Sequence, residues 1–573
     1  MSKTHLLRTR RAIAVTASVA LSLSLVAIPA APVLAAPGDG PVFLPEDSVA
    51  FAELRLDLPG DQQENAIAFL GRIPGFPADG GIEGVAGLIR DAFAAGGDEE
   101  TPMGAGSWDW VDGSLMIGLP ELPPLDTLMA ATEGEMEAAA GIERPYAIAA
   151  IGIADRAAFD AEWPAIWDGI GEADASEEYA GTTIWTTEDE GETTVAAVAG
   201  DLLLLGMDRD RVAAAIDRVA AGGPSLATSA AYADAVAGLP ADRVGTLYIN
   251  TGRLRDELGA QVTEMLAQGL EVGDQAAQLQ DQLAALPASV VGAIRLDPDH
   301  ITAALSGSIA ESPMTAPVGT SDLATRMPAD TILYLESRDL GTILKEGLAQ
   351  ARPLLAADEE TEASLQQIEA LLGANLEDLL SWAGDLALGV TVGEAGPSFG
   401  LVADVTDEAA ADERINGLLA LIRMFAAGGE DSPITVDQEV VGEITVTTLA
   451  LTDASGMTEG LPVEASISVA LGGGHFYLGL GDFARGALEQ DPATSLAASP
   501  AFAQAIDPLG ENGGFLWTDL ASAIGLAALT MDPAEAADFE AQAGILADVL
   551  GPLVAYLDAE DGVGTAAIQI YLR

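Results

Sequence analysis

The chain of 573 residues has no cysteine and only three histidines, of which His300 and His475 lie beyond the N-terminal segment. The absence of cysteine excludes disulfide bonds, a cysteine-linked lipid anchor and thiolate metal sites. The two histidines do not form the i, i+4 pair that a helical zinc site uses. The sequence therefore predicts no metal, no cofactor and no catalytic residues, and the fold must depend on burial of an ordinary hydrophobic core.

Positive charge is also scarce. The chain has 24 lysine and arginine residues against 89 aspartate and glutamate residues, which gives a formal net charge of −65. Only Lys3 and Lys345 are lysines. This balance repels nucleic acid phosphates and anionic lipid headgroups, so neither is expected as a partner. Because 49% of the residues are hydrophobic, the chain is nevertheless expected to fold.

Two explanations of the acidic composition stay open. One is adaptation to salt, in which high ionic strength screens the repulsion between carboxylates. The other is divalent cation binding on acid-rich loops such as residues 97–100 and 188–192. The Asp-x-Asp-x-Asp-Gly pattern of a calcium loop is absent from the sequence. Because runs of charge are usually solvated surfaces, the sequence favours the first explanation.

Residues 1–35 have the pattern of a secretory signal peptide. Basic residues precede an apolar run over residues 12–28, and small residues before position 35 provide a cleavage site. A retained membrane anchor is the alternative, but the run is short and ends at Pro29. The neighbouring Arg10 and Arg11 loosely fit twin-arginine export. No second apolar run of spanning length follows, so we expect a secreted or cell-envelope protein without a transmembrane segment after cleavage.

Two distant segments of the chain are nearly the same. Residues 225–235 read SLATSAAYADA and residues 495–505 read SLAASPAFAQA, with seven identical positions among eleven. Further landmarks recur in the same order: residues 44–55 match 327–338, Trp110 matches Trp382, and residues 200–206 match 474–479.

This order predicts a tandem duplication of one domain. The first copy is expected at residues 41–310 and the second at residues 326–573. A polar, proline-containing linker is predicted between them at residues 311–325. Each copy has the size of one large domain and is far longer than the repeat unit of a solenoid or propeller.

Strand-like runs alternate with alanine-rich amphipathic runs in both copies. The pattern predicts an α+β fold of two tandem homologous domains, each a mainly antiparallel β-sheet with packed helices. Glycines at 200 and 472–474 are expected at positive φ in hairpin turns. The predicted meanders cover residues 179–185, 193–199 and 201–207, then 443–449, 465–470 and 475–479. The predicted strand–long helix–strand endings cover residues 243–250, 253–286 and 289–296, then 514–518, 533–557 and 564–572.

Few residues are candidates for chemistry. Ser499 precedes Pro500, which is typical of a helix N-cap, and Ala501, Phe502 and Ala505 are then expected to face the core. A nucleophilic serine is the alternative, but the sequence has no Gly-x-Ser-x-Gly elbow.

Both copies place a glutamate and an arginine two residues apart in the first strand, where they share a face. The pairs are Glu53 with Arg55 and Glu336 with Arg338. A structural ion pair is expected, and contact with a ligand is the alternative. Trp110 and Trp382 are each expected to plug one end of a sheet, with sugar or peptide binding as the alternative.

Three short motifs carry a resemblance to a known family. They are a Leu-Pro-x-Asp opening into a strand (Leu44, Pro45, Asp47; Pro328, Asp330), a Trp-x-Gly turn (Trp382, Gly384) and a Ser-Leu-Ala helix (Ser225, Ser495). At these motifs the chain is similar to a bacterial secreted family known only as domain of unknown function 3352, over nearly the whole mature sequence. The first copy departs at Val111-Asp112-Gly113, which adds a residue before the glycine. The family has no assigned activity or ligand, so the resemblance implies no site residues.

These observations together predict a non-enzymatic, exported, two-domain protein. It is expected to bind an extracytoplasmic ligand or protein, or to act as a component of the cell envelope. A carrier of an apolar small molecule or lipid, held in a cavity between sheet and long helix, is the alternative. A secreted hydrolase is the third possibility.

If salt adaptation explains the acidic composition, sodium chloride should stabilise the fold. Screening weakens the repulsion between carboxylates, which is stronger in the folded state because the charges are closer together. We expect the melting temperature to rise between low and molar salt, measured by circular dichroism. A melting temperature that is constant or falls over this range would contradict salt adaptation.

Overall fold

The computed structural model describes most of the chain in two compact units, Met1–Ala310 and Glu311–Arg573. The described residues are 41–55, 58–73, 110–122, 146–170, 175–189, 192–267, 287–308, 318–339, 381–393, 396–426, 434–451, 466–529, 547–560 and 563–573, with isolated positions within 341–375 and at 544. The predicted signal peptide, the acidic segment 97–100 and residues 311–317 of the predicted linker lie outside these ranges.

The first unit contains an antiparallel sheet of ten described strands. Its spatial order is β4-β5-β6-β7-β3-β2-β1-β8-β9-β10. The strands are β1 (Ala50–Arg55), β2 (Val111–Leu119), β3 (Ile148–Ile153), β4 (Ala175–Tyr179), β5 (Thr182–Asp189), β6 (Glu192–Ala199), β7 (Leu202–Gly206), β8 (Gly245–Ile249), β9 (Val290–Leu296) and β10 (His300–Ser308).

The second unit also contains ten described antiparallel strands. Its spatial order is β14-β15-β16-β17-β13-β12-β11-β18-β19-β20, so both units connect their strands in the same way. The strands are β11 (Thr331–Ser337), β12 (Ala383–Gly393), β13 (Gly396–Val405), β14 (Ile434–Val441), β15 (Ile444–Leu451), β16 (Ser466–Gly472), β17 (His475–Leu480), β18 (Gly514–Asp519), β19 (Leu550–Glu560) and β20 (Val563–Leu572).

Helices complete both units, and the predicted combination of helices with antiparallel sheet is confirmed. The helices are α1 (Gln62–Leu70), α2 (Arg156–Ile170), α3 (Arg209–Ala221), α4 (Ala230–Val236), α5 (Thr251–Ala267), α6 (Glu408–Ala426), α7 (Phe483–Glu489), α8 (Pro500–Ile506) and α9 (Leu520–Leu529). Asp155 caps α2, since its carboxylate accepts from the Ala157 N–H at 2.9 Å. None of the helices in the described part of the chain has both the length and the hydrophobicity that a bilayer crossing requires.

The two recurring motifs contact each other in each unit. In the first unit the Leu226 N–H donates to the Leu44 carbonyl at 3.0 Å, and in the second the Leu496 N–H donates to the Met327 carbonyl at 2.9 Å. All four side chains are fully buried. The Ser-Leu-Ala segment, a short 3₁₀ turn, is thereby fixed to the first residue of the segment that leads into β1 or β11.

The aromatic position of the Ser-Leu-Ala helix is an anchor of the core. Tyr232 packs edge-on against Phe51, with ring centroids 5.9 Å apart. Phe502 takes the same place in the second unit, 5.6 Å from Tyr334 and 5.4 Å from Trp517. Edge-on contacts between buried rings add to the free energy gained from burial alone.

Helix α7 approaches the sheet closely because two glycines face it. Gly400 and Gly479 are register partners in β13 and β17. A Cβ atom at Gly400 would lie 2.0 Å from the Phe483 ring, and one at Gly479 would lie 2.5 Å from the Phe483 Cβ. The ring therefore occupies the space that side chains would take in these strands.

The predicted long helix over residues 533–557 is wrong at its C-terminal end, where β19 begins at Leu550. The sequence Gly551-Pro552 explains the difference, because the residue before a proline is disfavoured in helical conformation. Val554 is fully buried towards the core, whereas Leu557 is exposed on the opposite face. A strand that is apolar on both faces cannot be distinguished from an apolar helix by its spacing. Residues 530–543 lie outside the described residues.

The predicted meanders are correct in type but incomplete. The turn of Ala180 and Gly181, both at positive φ, divides the strand predicted over residues 179–185. Each unit has four strands in this region instead of the three predicted, and the additional strands are β4 and β14. The strands β10 and β19 of the closing hairpins are also absent from the prediction. The predicted positive φ is confirmed at Gly200, Gly473 and Gly474 but is wrong at Gly472, which is the last residue of β16 and has extended backbone.

Two smaller expectations also differ from the structure. Ala501 is exposed and does not face the core, whereas Phe502 and Ala505 are buried as predicted. Within the segment predicted as a linker, Leu323–Arg326 forms a 3₁₀ turn whose Leu323 is fully buried in the second unit.

Gly400→Ala should destabilise the second unit. The new methyl group collides with the buried Phe483 ring, and overpacking of this kind costs about 1–3 kcal/mol. The matched control is Gly417→Ala, an exposed position within α6 with open space around it, where alanine should stabilise the helix by about 0.5–1 kcal/mol. Urea unfolding of both variants measures the difference. Equal unfolding free energies for the two variants would contradict this account of the α7 contact.

Candidate functional site

A cleft of about 630 Å³ lies in the second unit. Its walls come from the start of β11, helix α8, the end of β18, helix α9 and the ends of β19 and β20 that meet there. The volume falls in the range of small-molecule sites, about 300–1,000 Å³. Both recurring motifs contribute, Asp330 from the Leu-Pro-x-Asp strand and Ser499 with Pro500 from the Ser-Leu-Ala helix.

The interior of the cleft is apolar and aromatic. Trp517 and Tyr571 line it and are each 3% exposed, and Ile332, Leu526 and Pro552 extend the apolar wall. The indole Nε1 of Trp517 is buried and has no hydrogen-bond partner among the described residues. A buried N–H group without an acceptor is unfavourable, so Trp517 in the wall of the cleft has an unsatisfied donor.

Polar groups gather at the rim beside α9. The Asp519 carboxylate accepts from the Ser522 hydroxyl at 2.6 Å and from the Arg573 guanidinium at 2.9 Å. Asp330 lines the same cleft and is exposed, and its carboxylate has no hydrogen-bond or ion-pair partner within the described ranges. The rim thus offers one internally paired carboxylate and one carboxylate with capacity for a ligand.

The strand pairings show which residue of the first unit corresponds to Ser522 in the cleft. Tyr248 faces Phe51 in β1, and Trp517 faces the matching Tyr334 in β11. Arg253 in α5 lies five residues after Tyr248, and Ser522 in α9 lies five residues after Trp517. The two residues therefore occupy matching positions in the two units.

Arg253 spans the position that corresponds to the cleft. It forms ion pairs with Asp47, the counterpart of Asp330, and with Glu257 on its own helix. Serine is too short to bridge to Asp330, and the Ser522 hydroxyl turns to Asp519 instead. The second unit thus has a small hydroxyl at the position where the first unit has a long cation paired with Asp47.

A second polar group lies within the core of the same unit. The Glu336 carboxylate accepts from the Tyr334 hydroxyl and forms an ion pair with Arg338, so the predicted pair is confirmed. Arg338 also contacts Asp385 at 3.2 Å. Glu336 and Arg338 are each 3% exposed, which makes them structural rather than ligand-facing groups.

Burial raises the pKa of Glu336 above its ordinary value. The hydrogen bond from Tyr334 and the charge of Arg338 oppose this rise but do not cancel it. Burial, together with the neighbouring Glu336, raises the pKa of the Tyr334 hydroxyl well above its ordinary value. Both groups therefore resist ionisation because water is excluded around them.

The matching residues of the first unit are arranged differently. Arg55 is buried and Glu53 is half-buried on the same face of β1, and their predicted ion pair stays a prediction. Phe51 stands where the second unit has Tyr334, so the phenolic hydroxyl of the buried group has no counterpart there.

Trp110 and Trp382 are core residues, as predicted. They immediately precede β2 and β12 and are only 3% and 4% exposed. Trp110 packs edge-on against Phe159 at 4.9 Å, and Trp382 packs edge-on against Phe476 at 5.3 Å. Both rings lie inside hydrophobic clusters, and neither lines the cleft of the second unit.

Neither histidine lines the cleft that Ser499 borders. Ser499 is the N-cap residue of α8, with Pro500 at the first helical position, although its side chain makes no capping hydrogen bond. The His475 Nδ1 lies 2.9 Å from Asp404 and its Nε2 lies 3.4 Å from Arg326, where a triad would need a hydroxyl. The ring nitrogens of His300 lie 2.8 Å from Asp299 and 3.2 Å from Asp297. In the part of the chain that the structure describes, no three metal-ligating side chains cluster.

The sequence does not identify the residues of the cleft as site residues. Trp517, Asp519, Ser522, Tyr571 and Arg573 come from three elements, and each has an ordinary role when its element is viewed alone. The match of Ser522 with Arg253 appears only when the strand pairings set Tyr248 against Trp517, because the spacing of the first strands sets Ser522 against Leu239.

Glu336→Gln should change how stability depends on pH. A carboxyl whose pKa is raised by folding keeps its proton in the folded state above pH 4.5, its ordinary value, while the unfolded chain loses it. The unfolding free energy of the wild type, relative to Glu336→Gln, should therefore fall as pH rises above 4.5, by about 1.4 kcal/mol per unit of pKa difference. Urea unfolding at a series of pH values measures this, with the exposed Asp437→Asn as control. A difference that is constant or grows with pH would refute the buried-carboxyl account.

Comparisons with known proteins give a family but no activity. Two solved structures are similar to part of the chain, "Structure of crystal form III of TP0453" at 9% identity and TM-score 0.24, and "Structure of crystal form I of TP0453" at 10% and 0.25. Each match covers 50% of this chain and 90% or 89% of the other, and scores this low carry no conclusion. No curated protein matches the sequence. A family model matches residues 109–547, and the chain therefore belongs to the family described as Protein of unknown function (DUF3352).

Proposed function

We propose that the protein is an exported, non-enzymatic binding protein and that the cleft of the second unit holds a small apolar or amphipathic molecule. The observation that carries the proposal is the cleft itself, with its aromatic interior and a buried indole N–H that lacks an acceptor within the described residues. A concave apolar site with a few polar groups is the usual form of a ligand pocket.

The cleft modifies the expected form of a carrier. The carrier alternative expects a cavity between sheet and long helix, and part of the long helix predicted over residues 533–557 is β19. The open space is instead bounded by α9 and α8 at the ends of the central strands. Its interior still combines apolar side chains with a polar rim, which suits an amphipathic ligand.

The contacts of the histidines favour binding over hydrolysis. A serine hydrolase needs a hydroxyl next to the imidazole, and His475 lies between a carboxylate and a guanidinium. Asp330 and Asp519 line the cleft without a histidine beside them. These groups can hold a ligand but are not arranged as a nucleophile with its base.

We further propose that the two units arose by tandem duplication and that the chain is exported by its N-terminal signal. The shared strand order and the matched contact between recurring motifs support duplication. The basic and apolar pattern of residues 1–35 supports export. The two units differ at this position, with Arg253 in the first and Ser522 in the second.

Ser522→Arg should close the cleft. The new guanidinium can reach Asp330 as Arg253 reaches Asp47, and it would occupy the space of a ligand. We expect the affinity for the neutral fluorescent probe N-phenyl-1-naphthylamine to fall by about tenfold or more, which is about 1.4 kcal/mol of binding free energy. Fluorescence titration measures the affinity, and a thermal melt verifies folding.

The control is Ser176→Arg, an exposed position in β4 that makes the same chemical change outside the cleft. Wild-type protein that does not bind the probe, and that carries no co-purifying small molecule in native mass spectrometry, would refute the binding function. Equal probe affinity in Ser522→Arg and wild type would show that binding lies elsewhere.

A further inference from the structure

We infer that the ligand of this cleft carries a positively charged amine group attached to an apolar body. The inference rests on the proposed binding function and adds the chemical class of the ligand to it. Four observations support this ligand class: the charge at the rim, the ion pair at the matching position of the first unit, the aromatic interior and the net charge of the whole chain.

The rim has unsatisfied negative charge. Arg573 is the cation that lines the cleft, and it is already paired with Asp519 at 2.9 Å. Asp330 is exposed in the same cleft, and its carboxylate has no partner in the described ranges. An ammonium group can donate hydrogen bonds to Asp330, whereas an anionic headgroup would meet a repelling carboxylate.

The first unit shows that this position accepts a cation. There the carboxylate of Asp47, the counterpart of Asp330, forms an ion pair with the guanidinium of Arg253. In the second unit Ser522 replaces the arginine and the carboxylate remains. A ligand ammonium would restore the pairing that the protein supplies to itself in the first unit.

The interior favours the same ligand class. Trp517 and Tyr571 line the cleft, and aromatic faces attract cations electrostatically within about 6 Å, most strongly when water is excluded. Carboxylates together with aromatic rings are the groups that select ammonium ligands over neutral ones. Apolar side chains such as Leu526 and Pro552 provide contact for the hydrocarbon part.

The charge of the whole chain acts in the same direction. A formal charge of −65 produces a negative potential that concentrates cations near the surface and repels anions. This general attraction is screened by salt and does not distinguish one site from another. A test of the inference must therefore separate the cleft from the surrounding surface.

The experiment compares three ligands with the same hydrocarbon chain: decylammonium, decanol and decanoate, all below their aggregation concentrations. Binding of each to the full chain is measured directly by isothermal titration calorimetry, and by displacement of N-phenyl-1-naphthylamine. We expect decylammonium to bind about tenfold more tightly than decanol, and decanoate to bind most weakly.

Asp330→Asn and Asp437→Asn are the matched variants. Both remove one exposed carboxylate from the second unit, but only Asp330 lines the cleft. Asp330→Asn should abolish most of the preference for decylammonium over decanol while it leaves decanol binding unchanged. Asp437→Asn should keep the preference.

Each outcome decides a separate point. Equal binding of the three ligands would overturn the ligand class and leave the binding function intact. A preference for decylammonium that survives Asp330→Asn would assign it to the general surface charge and overturn the role of this cleft. If none of the three ligands and no neutral probe binds, both the binding function and the ligand class fall.

Discussion

One backbone hydrogen bond in each unit fixes the sheet to the elements that cover it. It joins the Ser-Leu-Ala turn to the segment that leads into the first strand, at Leu226 and Leu44 and again at Leu496 and Met327. The side chains at these contacts press against glycines of the neighbouring strand. A Cβ atom at Gly118 would lie 2.2 Å from Leu44. Because α8 follows the turn and β11 follows Met327, this contact also positions two walls of the cleft.

Features that depend on a few neighbouring residues could be predicted from the sequence. The positive φ of three hairpin glycines and the Glu336–Arg338 pair each follow from one short segment and are confirmed. The apolar spacing of β19 predicts a helix because both faces of this strand are apolar, which removes the alternation that identifies a strand. The sequence contains the Gly551-Pro552 signal against a helix, and the hydrophobic spacing outweighed it.

The cleft required the three-dimensional structure because its residues are brought together only by folding. Asp330, Asp519 and Arg573 come from different elements, and among 89 acidic residues no single carboxylate stands out. Their importance lies in which of them are paired. The structure pairs Asp519 with Arg573 and leaves Asp330 without a partner in the described ranges.

The buried carboxylate of Glu336 has a consequence for how the second unit assembles. On β11 the inward Tyr334 and the outward Leu335 are both apolar, so hydrophobicity alone gives the strand little reason to prefer one alignment with its neighbours. A slip by one residue would turn Glu336 and Arg338 together to the opposite face and would break the ion pair between Arg338 and Asp385 on the neighbouring strand β12. This cross-strand pair therefore disfavours misaligned pairing of β11 with β12, so a buried charge that is costly by itself helps to specify the strand register.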